Sequence, residues 1–241
     1  MASICYNSIF KILQNEERYL DRFFTKSFIE QMILPIAVQK NRYFSDDNIY
    51  LEHLCDKYDV KNDPYEFVIN YDDLHRYVKY FVEGKYDPFI YGIRNHTGPL
   101  STETYLIQED LLKFFEKGYI TQDSEAGLVL TSTYDSTGYN IQRPYLFLMG
   151  EKDKIQKMHE AIAEHSMLTA IDYEADIQMD SIFNHFTSIT LEEEHMMRDK
   201  YTFGFFGIRY PNDEDNKKDY FKSYFEYILS NQFFQDLLEI A

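Results

Sequence analysis

The sequence lacks several features that would assign a protein to a familiar class. It contains no tryptophan, only two cysteines, and no apolar run that approaches the length of a membrane span. Cys5 and Cys55 stand at no metal-binding or redox spacing, so we expect a reducing compartment and no bound metal. The first residues carry neither a basic n-region nor an apolar h-region. These absences together favour a soluble, cytoplasmic protein with no membrane association.

Positive charge is also scarce. The chain has 24 Lys and Arg residues against 41 Asp and Glu residues, and its formal net charge is −17. A chain this acidic is repelled by a phosphate backbone, which argues against direct binding to nucleic acid. The same charge suits a basic protein partner, or serves solubility alone. Aromatic residues are abundant instead, with 22 Tyr and 20 Phe, and we expect them to fill much of the core.

Apolar periodicity divides the chain into two regions. Residues 1–98 read as a helical N-terminal region, either a subdomain or a layer of one domain, and residues 99–241 as an α+β domain. The predicted fold class is therefore α+β, with helices packed on a small mixed or antiparallel sheet. The predicted helices are 6–34 (closed by Pro35), 47–58, 71–81, 151–165, 176–186, 192–199 and 219–240, and the predicted strands outside the segment described next are 167–171 and 201–210.

The segment 101–150 is the one stretch in which polar residues converge. A helix begins at Ser101, whose hydroxyl can cap it, and ends at Gly118, which suits the left-handed position after a helix. A short strand at 119–121, a polar loop and a buried strand at 144–149 follow. If the two strands pair antiparallel, the end of the first lies beside the start of the second. That pairing would bring Ser124 and Glu125 near Gln142 and Arg143.

This segment resembles an uncharacterised domain family of bacteria and large DNA viruses. The family pattern is a helix ending in Gly-aromatic, a strand with Thr-x-x-Ser-Gln-Pro-Gly, and a strand opening with Gln-Arg. The matching residues are 118–121, 123–124, Gly127 and 142–145, within a segment that covers about a fifth of the chain, and Glu125-Ala126 stands in place of the family's Gln-Pro. The turn is also similar to that of the regulatory domain of methylenetetrahydrofolate reductase, which binds S-adenosylmethionine. The resemblance implies a site for a small, nucleotide-like ligand.

The candidate site therefore lies at the shared edge of the two strands. Arg143 could bind a carboxylate or phosphate, while Gln142 reads an amide or a base edge. The alternative is that Arg143 pairs with Asp123 or Glu125 and only joins two strand ends. The candidate ligand-binding residues are Thr121, Asp123, Ser124, Glu125, Gln142, Arg143 and Tyr145.

Other chemistry-bearing residues form no complete machinery. His96 lies in a Gly-Pro turn, and His185-Phe186-Thr187 supplies only half of a two-histidine phosphoesterase signature. His159 and His165 are six residues apart, too far for a metalloprotease helix. The acidic clusters at 46–47, 72–73, 192–194 and 213–215 are either solubilising charge or a surface for a basic partner.

The leading hypothesis is a non-catalytic small-ligand-binding or regulatory protein. The rival is an acidic protein-interaction module, such as a virus-encoded inhibitor of a basic or nucleic-acid-binding host protein. An enzyme ranks third, because no two candidate acid–base groups can be placed within reach of each other. The pattern leaves the cofactor unknown and allows a homo-oligomer, in which the aromatic C-terminal helix would pair with a second copy.

Overall fold

A computed structural model describes residues 25–45, 68–83, 102–131, 138–171, 179–180, 182–183, 188–209 and 218–241. Helices and two small sheets make up these ranges, which confirms the predicted α+β class. The helical elements are α1 (Lys26–Phe28), a π-helical segment (Ile29–Ile33), α2 (Leu34–Gln39), α3 (Tyr71–Val82), α4 (Thr102–Tyr105), α5 (Gln108–Glu116), α6 (Lys152–Ala163), α7 (Leu191–Lys200), α8 (Lys218–Ile228) and α9 (Gln232–Ile240). The strands are β1 (Tyr43–Ser45), β2 (Ile120–Glu125), β3 (Leu128–Thr131), β4 (Tyr139–Gln142), β5 (Tyr145–Glu151), β6 (Leu168–Ala170) and β7 (Tyr201–Ile208).

The larger sheet has the strand order β2-β5-β7-β6, and its neighbouring strands are antiparallel. The pairing of β2 with β5 confirms the arrangement on which the predicted site depends. In the smaller sheet, of order β1-β3-β4, β1 runs parallel to β3 and β4 runs antiparallel to it. This sheet joins a strand from before residue 98 to strands after it, and the domain boundary itself stays a prediction.

The prediction that the stretch between the two strands is a polar loop was wrong. It contains β3 and β4, each of which is four residues long. Runs this short give a weak periodic signal, and the polar residues around them obscure it. The consequence for the site is that the chain leaves β2, forms a second hairpin, and returns to β5 through Gln142 and Arg143.

The core lies on both faces of β5, whose sequence is apolar nearly throughout. On one face, Leu148 pairs with Gly204 and Leu146 pairs with Phe206. Helix α6 packs against this face and places the His159 ring edge-on to the Phe206 ring, with centroids 5.2 Å apart. The opposite face stacks Phe147 on Phe203, with ring centroids 5.1 Å apart. Burial of aromatic rings on two sides explains why this strand carries an apolar residue at nearly every position.

The C-terminus of α5 ends as the sequence predicts. Gly118 has φ +85°, the left-handed conformation, and its N–H donates to Phe115 O at 2.9 Å. The N–H of Tyr119 donates to Phe114 O at 3.0 Å, which completes a Schellman motif. The start of the predicted helix differs, because a turn at 106–107 divides it into α4 and α5.

Two further helix boundaries differ from their predictions. Pro35 does not close the first helix, because the chain continues through a π-helical segment into α2, which begins at Leu34. Proline lacks a backbone N–H, and in the first turn of a helix that N–H would have no partner within the helix, so Pro35 is tolerated there. The predicted helix 219–240 is two helices, α8 and α9. The Ser230 hydroxyl donates to Tyr227 O at 2.8 Å and accepts the Gln232 N–H at 3.2 Å, which turns the chain between them.

Gly127 joins the β2–β3 turn to the end of α8. A side-chain Cβ at this position would overlap the backbone carbonyl of Ile228 and lie 3.0 Å from the Pro144 ring. The close approach of two backbones therefore requires glycine here, which gives a packing reason for the glycine of the sequence motif. The C-terminal helical hairpin is thereby held against the turn that follows the predicted site.

Candidate functional site at the β2–β5 edge

A β-bulge in β2 sets the geometry of the predicted site. Gln122 is an extra residue between two successive pairs of the β2–β5 ladder. Because side chains alternate along a strand, one extra residue reverses the alternation of every residue beyond it. Asp123 and Glu125 therefore share the sheet face that carries Tyr145, whereas a regular strand would direct them to the other face.

The two carboxylates of β2 have different surroundings. The Tyr145 hydroxyl donates to Asp123 Oδ2 at 2.9 Å, and the backbone N–H of Ser124 donates to Asp123 Oδ1 at 2.9 Å. Glu125 lies directly opposite Tyr145 in the ladder and is only 6% exposed. A carboxylate taken out of water in this way must be compensated by donors or by positive charge.

A guanidinium lies at the same edge. Arg143 lies two residues before the start of β5 at Tyr145 and is 8% exposed. Its Nη1 donates to the carbonyl of Ile208 at 3.0 Å. Ile208 ends β7, so the guanidinium sits where the two central strands of the sheet meet the connecting chain. The geometry places a buried cation and two carboxylates around one end of β5.

Gln142 belongs to a different group. Its Nε2 donates to Glu103 Oε2 at 2.6 Å and to the carbonyl of Ala126 at 3.0 Å, so its amide is directed toward α4. Thr121 and Ser124 lie on the sheet face opposite Asp123. The structure thus brings Asp123 and Glu125 to Tyr145, with Arg143 two residues before Tyr145 at the same end of β5. The side chains of Thr121, Ser124 and Gln142 are directed elsewhere.

Sequence reasoning missed two polar residues at this edge. Gln122 is the bulged residue, and its buried Oε1 accepts no hydrogen bond from the part of the chain that the structure describes. Glu103, an acidic residue in the first turn of α4, accepts the Gln142 amide. Neither contact has a local signal, because a bulge and a partner 39 residues away depend on the tertiary fold.

The group of four offers both hydrogen-bond acceptors and a cation. The carboxylates of Asp123 and Glu125 can accept from hydroxyl, amino or ring N–H groups, and so can the side-chain carbonyl of Gln122. Arg143 is a donor whose fork geometry suits a carboxylate or phosphate. Because Glu125, Arg143 and Tyr145 are buried, a ligand at this edge would be enclosed rather than laid across an open surface.

The other candidates from the sequence have structural contacts or lie outside the described ranges. His165 Nδ1 accepts the backbone N–H groups of Met167 and Leu168 at 3.2 and 3.1 Å, so this imidazole closes the turn after α6. His96 and His185 fall outside the described residues. Within the described ranges no three His, Cys, Asp or Glu side chains form a group that could hold a metal ion.

Two of the acidic clusters begin helices. Asp72 and Asp73 lie in the first turn of α3, and Glu192, Glu193 and Glu194 in the first turn of α7. Negative charge at these positions is stabilised by the helix dipole, which gives both clusters a structural role. The clusters at 46–47 and 213–215 fall outside the described residues.

The structure is that of an α+β protein in which charged residues are buried at the β2–β5 edge of the larger sheet. No protein-family model matches this chain, and a comparison with curated proteins finds no match. The resemblance to the Ser-Gln-Pro-Gly family therefore stays a prediction. Among the described elements, no helix is both long enough and apolar enough to cross a membrane.

Proposed function

We propose that this protein is a non-catalytic binding or regulatory protein that holds a small, nucleotide-like ligand at the β2–β5 edge. The observation that carries the proposal is the bulge at Gln122, which turns two carboxylates toward Tyr145 and the Arg143 end of the sheet. Bulges that re-aim side chains in this way are over-represented beside binding sites. A strand that served only packing would present apolar residues to the aromatic face it covers.

The chemistry of the group suits a ligand with two unlike ends. Carboxylates accept from ribose-type hydroxyls or amino groups, and a guanidinium binds an acidic group. Tyr145 and Phe205, in edge-to-face contact at 5.5 Å, supply an apolar wall for a planar ring. The residues proposed to hold the ligand are Asp123, Glu125, Arg143 and Tyr145, with Gln122 as an added acceptor.

Calorimetry against a panel of nucleotides and S-adenosyl compounds tests the proposal. We expect one panel member to bind the wild-type protein and to bind Tyr145→Phe and Arg143→Lys at least about tenfold more weakly, the loss that one charged hydrogen bond supplies. Arg209→Lys is the matched control, because Arg209 is exposed one residue beyond Ile208. Silence across the panel, or equal affinity in all variants, would count against the proposal.

A second candidate function is an acidic protein-interaction module, and the outer surface of α7 favours it. Leu191 is 75% exposed and Met196 57% exposed, and both share the surface with exposed Glu192 and Asp199. Exposed apolar residues rimmed by carboxylates suit a partner that is basic and partly apolar. Pull-down from host lysate, weakened by rising salt and by Leu191→Ser with Met196→Ser, would support this function; a salt-insensitive capture would not.

A further inference from the structure

Three turns that are far apart in the sequence converge on a second buried polar cluster. They are the α2–β1 turn with Arg42, the α4–α5 turn with Leu106, and the α8–α9 turn with Asn231. The Arg42 Nη2 donates to Asn231 Oδ1, and Asn231 Nδ2 donates to the Leu106 carbonyl at 2.9 Å. Asn231 Nδ2 also contacts Asp110 Oδ2 at 2.8 Å. This cluster lies apart from the candidate site, because none of its side chains belongs to β2 or β5.

The Arg42 guanidinium is buried and incompletely paired. The residue is 6% exposed, and among the described residues no acceptor contacts its buried Nη1. The carboxylate whose charge acts on it, Asp110, reaches it only through the Asn231 amide. A buried guanidinium normally has acceptors for most of its five N–H groups, since each unpaired one costs free energy.

Asp110 does not supply the missing acceptor, because its three hydrogen bonds come from other donors. Its Oδ1 accepts from Lys113 Nζ at 3.0 Å and from Gln235 Nε2, and its Oδ2 accepts from Asn231. The residue is 3% exposed. The carboxylate is therefore held between α5 and α9, and its hydrogen bonds run to residues other than Arg42.

Two helix N-termini add positive potential at the same place. The nine-residue helices α5 and α9 begin at Gln108 and Gln232, beside Leu106 and Asn231, and in neither does the N-cap side chain close the first turn. The Asn231 side chain is instead used by Arg42 and Asp110. Each helix start carries about half a positive charge. Two cationic side chains, Arg42 and Lys113, and two helix starts thus lie around the single carboxylate of Asp110. The chain as a whole has a net charge of −17.

We propose that the Arg42 cluster is a binding site for a small oxoanion, a phosphate or carboxylate group, that accepts from Arg42 Nη1. Helix N-termini and guanidinium groups both bind phosphate and carboxylate groups in proteins, and here they meet within one hydrogen-bonded cluster. The bound oxoanion would provide the acceptor that Asp110 does not provide. It would be enclosed by the three turns, so its binding should hold β1 against the α8–α9 hairpin.

Thermal unfolding of the full chain with inorganic phosphate tests this site, with sodium acetate as the carboxylate arm and sodium chloride at matched ionic strength. We expect phosphate or acetate to raise Tm by about 3 °C at a tenfold excess over Kd, and the rise should continue with the logarithm of the anion concentration. Arg42→Gln keeps a donor for Asn231 but removes Nη1, and it should lose the response. Arg198→Gln, at a partly buried ion pair with Glu194 on α7, should keep it.

The phosphate and acetate titrations identify the class of oxoanion. A response to only one of them assigns the site to that anion, and a response to both shows that the site accepts either a phosphate or a carboxylate group. A rise no larger than that in chloride, or an equal response in Arg42→Gln and wild type, overturns the proposal. If Arg42→Gln does not fold, the side-chain ¹⁵N resonances of Arg42 in the wild type decide. They should shift saturably with the anion, and their constancy would exclude it.

Discussion

The two buried polar clusters of this protein contain similar groups but are built differently. At the β2–β5 edge, the four residues that converge come from a stretch of about twenty residues and meet through one strand pairing. In the Arg42 cluster, Arg42 and Asn231 lie in turns and Asp110 lies in α5, and more than sixty residues separate each of them from the next. The first cluster could be anticipated from a local pattern, and the second could not.

One short region connects the two clusters. Helix α4 supplies Glu103 to Gln142 at the edge, and the turn that follows it supplies the Leu106 carbonyl to Asn231. The Gly127 turn touches the end of α8, three residues before Asn231. A change in either cluster therefore has a direct route to the other, and substitutions can show whether the clusters are energetically separate or coupled.

The largest effect should come from Gly127→Ala, because the new Cβ would overlap the Ile228 carbonyl and both backbones would have to move. We expect a loss of about 3 kcal/mol or more in the free energy of unfolding, as for severe overpacking. Urea unfolding measures it. Gly118→Ala is the control, because the nearest atom to the new Cβ would be Lys154 Nζ at 3.6 Å, which leaves room for it. This substitution should lower the free energy of unfolding by only about 1 kcal/mol, the strain of alanine in the left-handed conformation. Equal costs would contradict the close approach.

Much of the fold was predictable from local signals, and the exceptions share one cause. The C-terminus of α5, helix α3 and the β2–β5 pairing follow from apolar periodicity and a C-terminal glycine. The β3–β4 hairpin and the break between α8 and α9 did not, because four-residue strands and a Ser-Asn turn carry little periodic signal. Distant residues help to fix both elements, because β1 pairs with β3 and Asn231 at the α8–α9 break contacts Arg42 and Leu106.

The site was predictable only in part. The strand pairing predicted Ser124 and Glu125 near Gln142 and Arg143, but the bulge at Gln122 decides which of the β2 side chains share a face. Without that extra residue, Ser124 rather than Glu125 would lie opposite Tyr145. A single inserted residue has no signature in a six-residue strand, so the division of the seven candidates into two groups required coordinates.

The next largest effect should come from Asp110→Ala in the Arg42 cluster. The substitution removes the one carboxylate that Lys113, Asn231 and Gln235 all contact, and it leaves their donors and Arg42 uncompensated. We expect a loss of about 3 kcal/mol, in the range for breaking a buried charge network. Chemical denaturation of Asp110→Ala beside Asp123→Ala measures it, since half-exposed Asp123 should cost less. The reverse order would mean that the edge is the more strongly desolvated cluster.

A smaller effect should come from Tyr145→Phe, which removes only the hydroxyl that donates to Asp123. The expected cost is about 1.5 kcal/mol, the value of a hydrogen bond to a charged acceptor in a buried setting. Double-mutant analysis with Asp123→Ala checks that the two groups interact directly, because the combined loss should be smaller than the sum. Additive losses would show that Tyr145 contributes by packing against Phe205 alone.

The smallest effect should come from Tyr227→Phe, which provides a reference for the same pair of groups outside both clusters. The Tyr227 hydroxyl donates to Asp236 Oδ2 at 2.7 Å, and both residues are only partly buried, so the cost should be about 1 kcal/mol. Burial, together with the Asp236 carboxylate, raises the pKa of Tyr227 above its ordinary value of 10.0.

The pH dependence gives this reference its sharpest form. Because the folded pKa of Tyr227 is raised above the unfolded one, its contribution is complete below pH 10 and is lost as the pH rises beyond it. Wild-type stability should therefore fall more steeply than that of Tyr227→Phe above about pH 10, where the unfolded tyrosine ionises. Parallel curves, measured by urea unfolding between neutral and alkaline pH, would show that the hydroxyl does not lie against Asp236 in solution, and the Tyr145 comparison would then lose its reference.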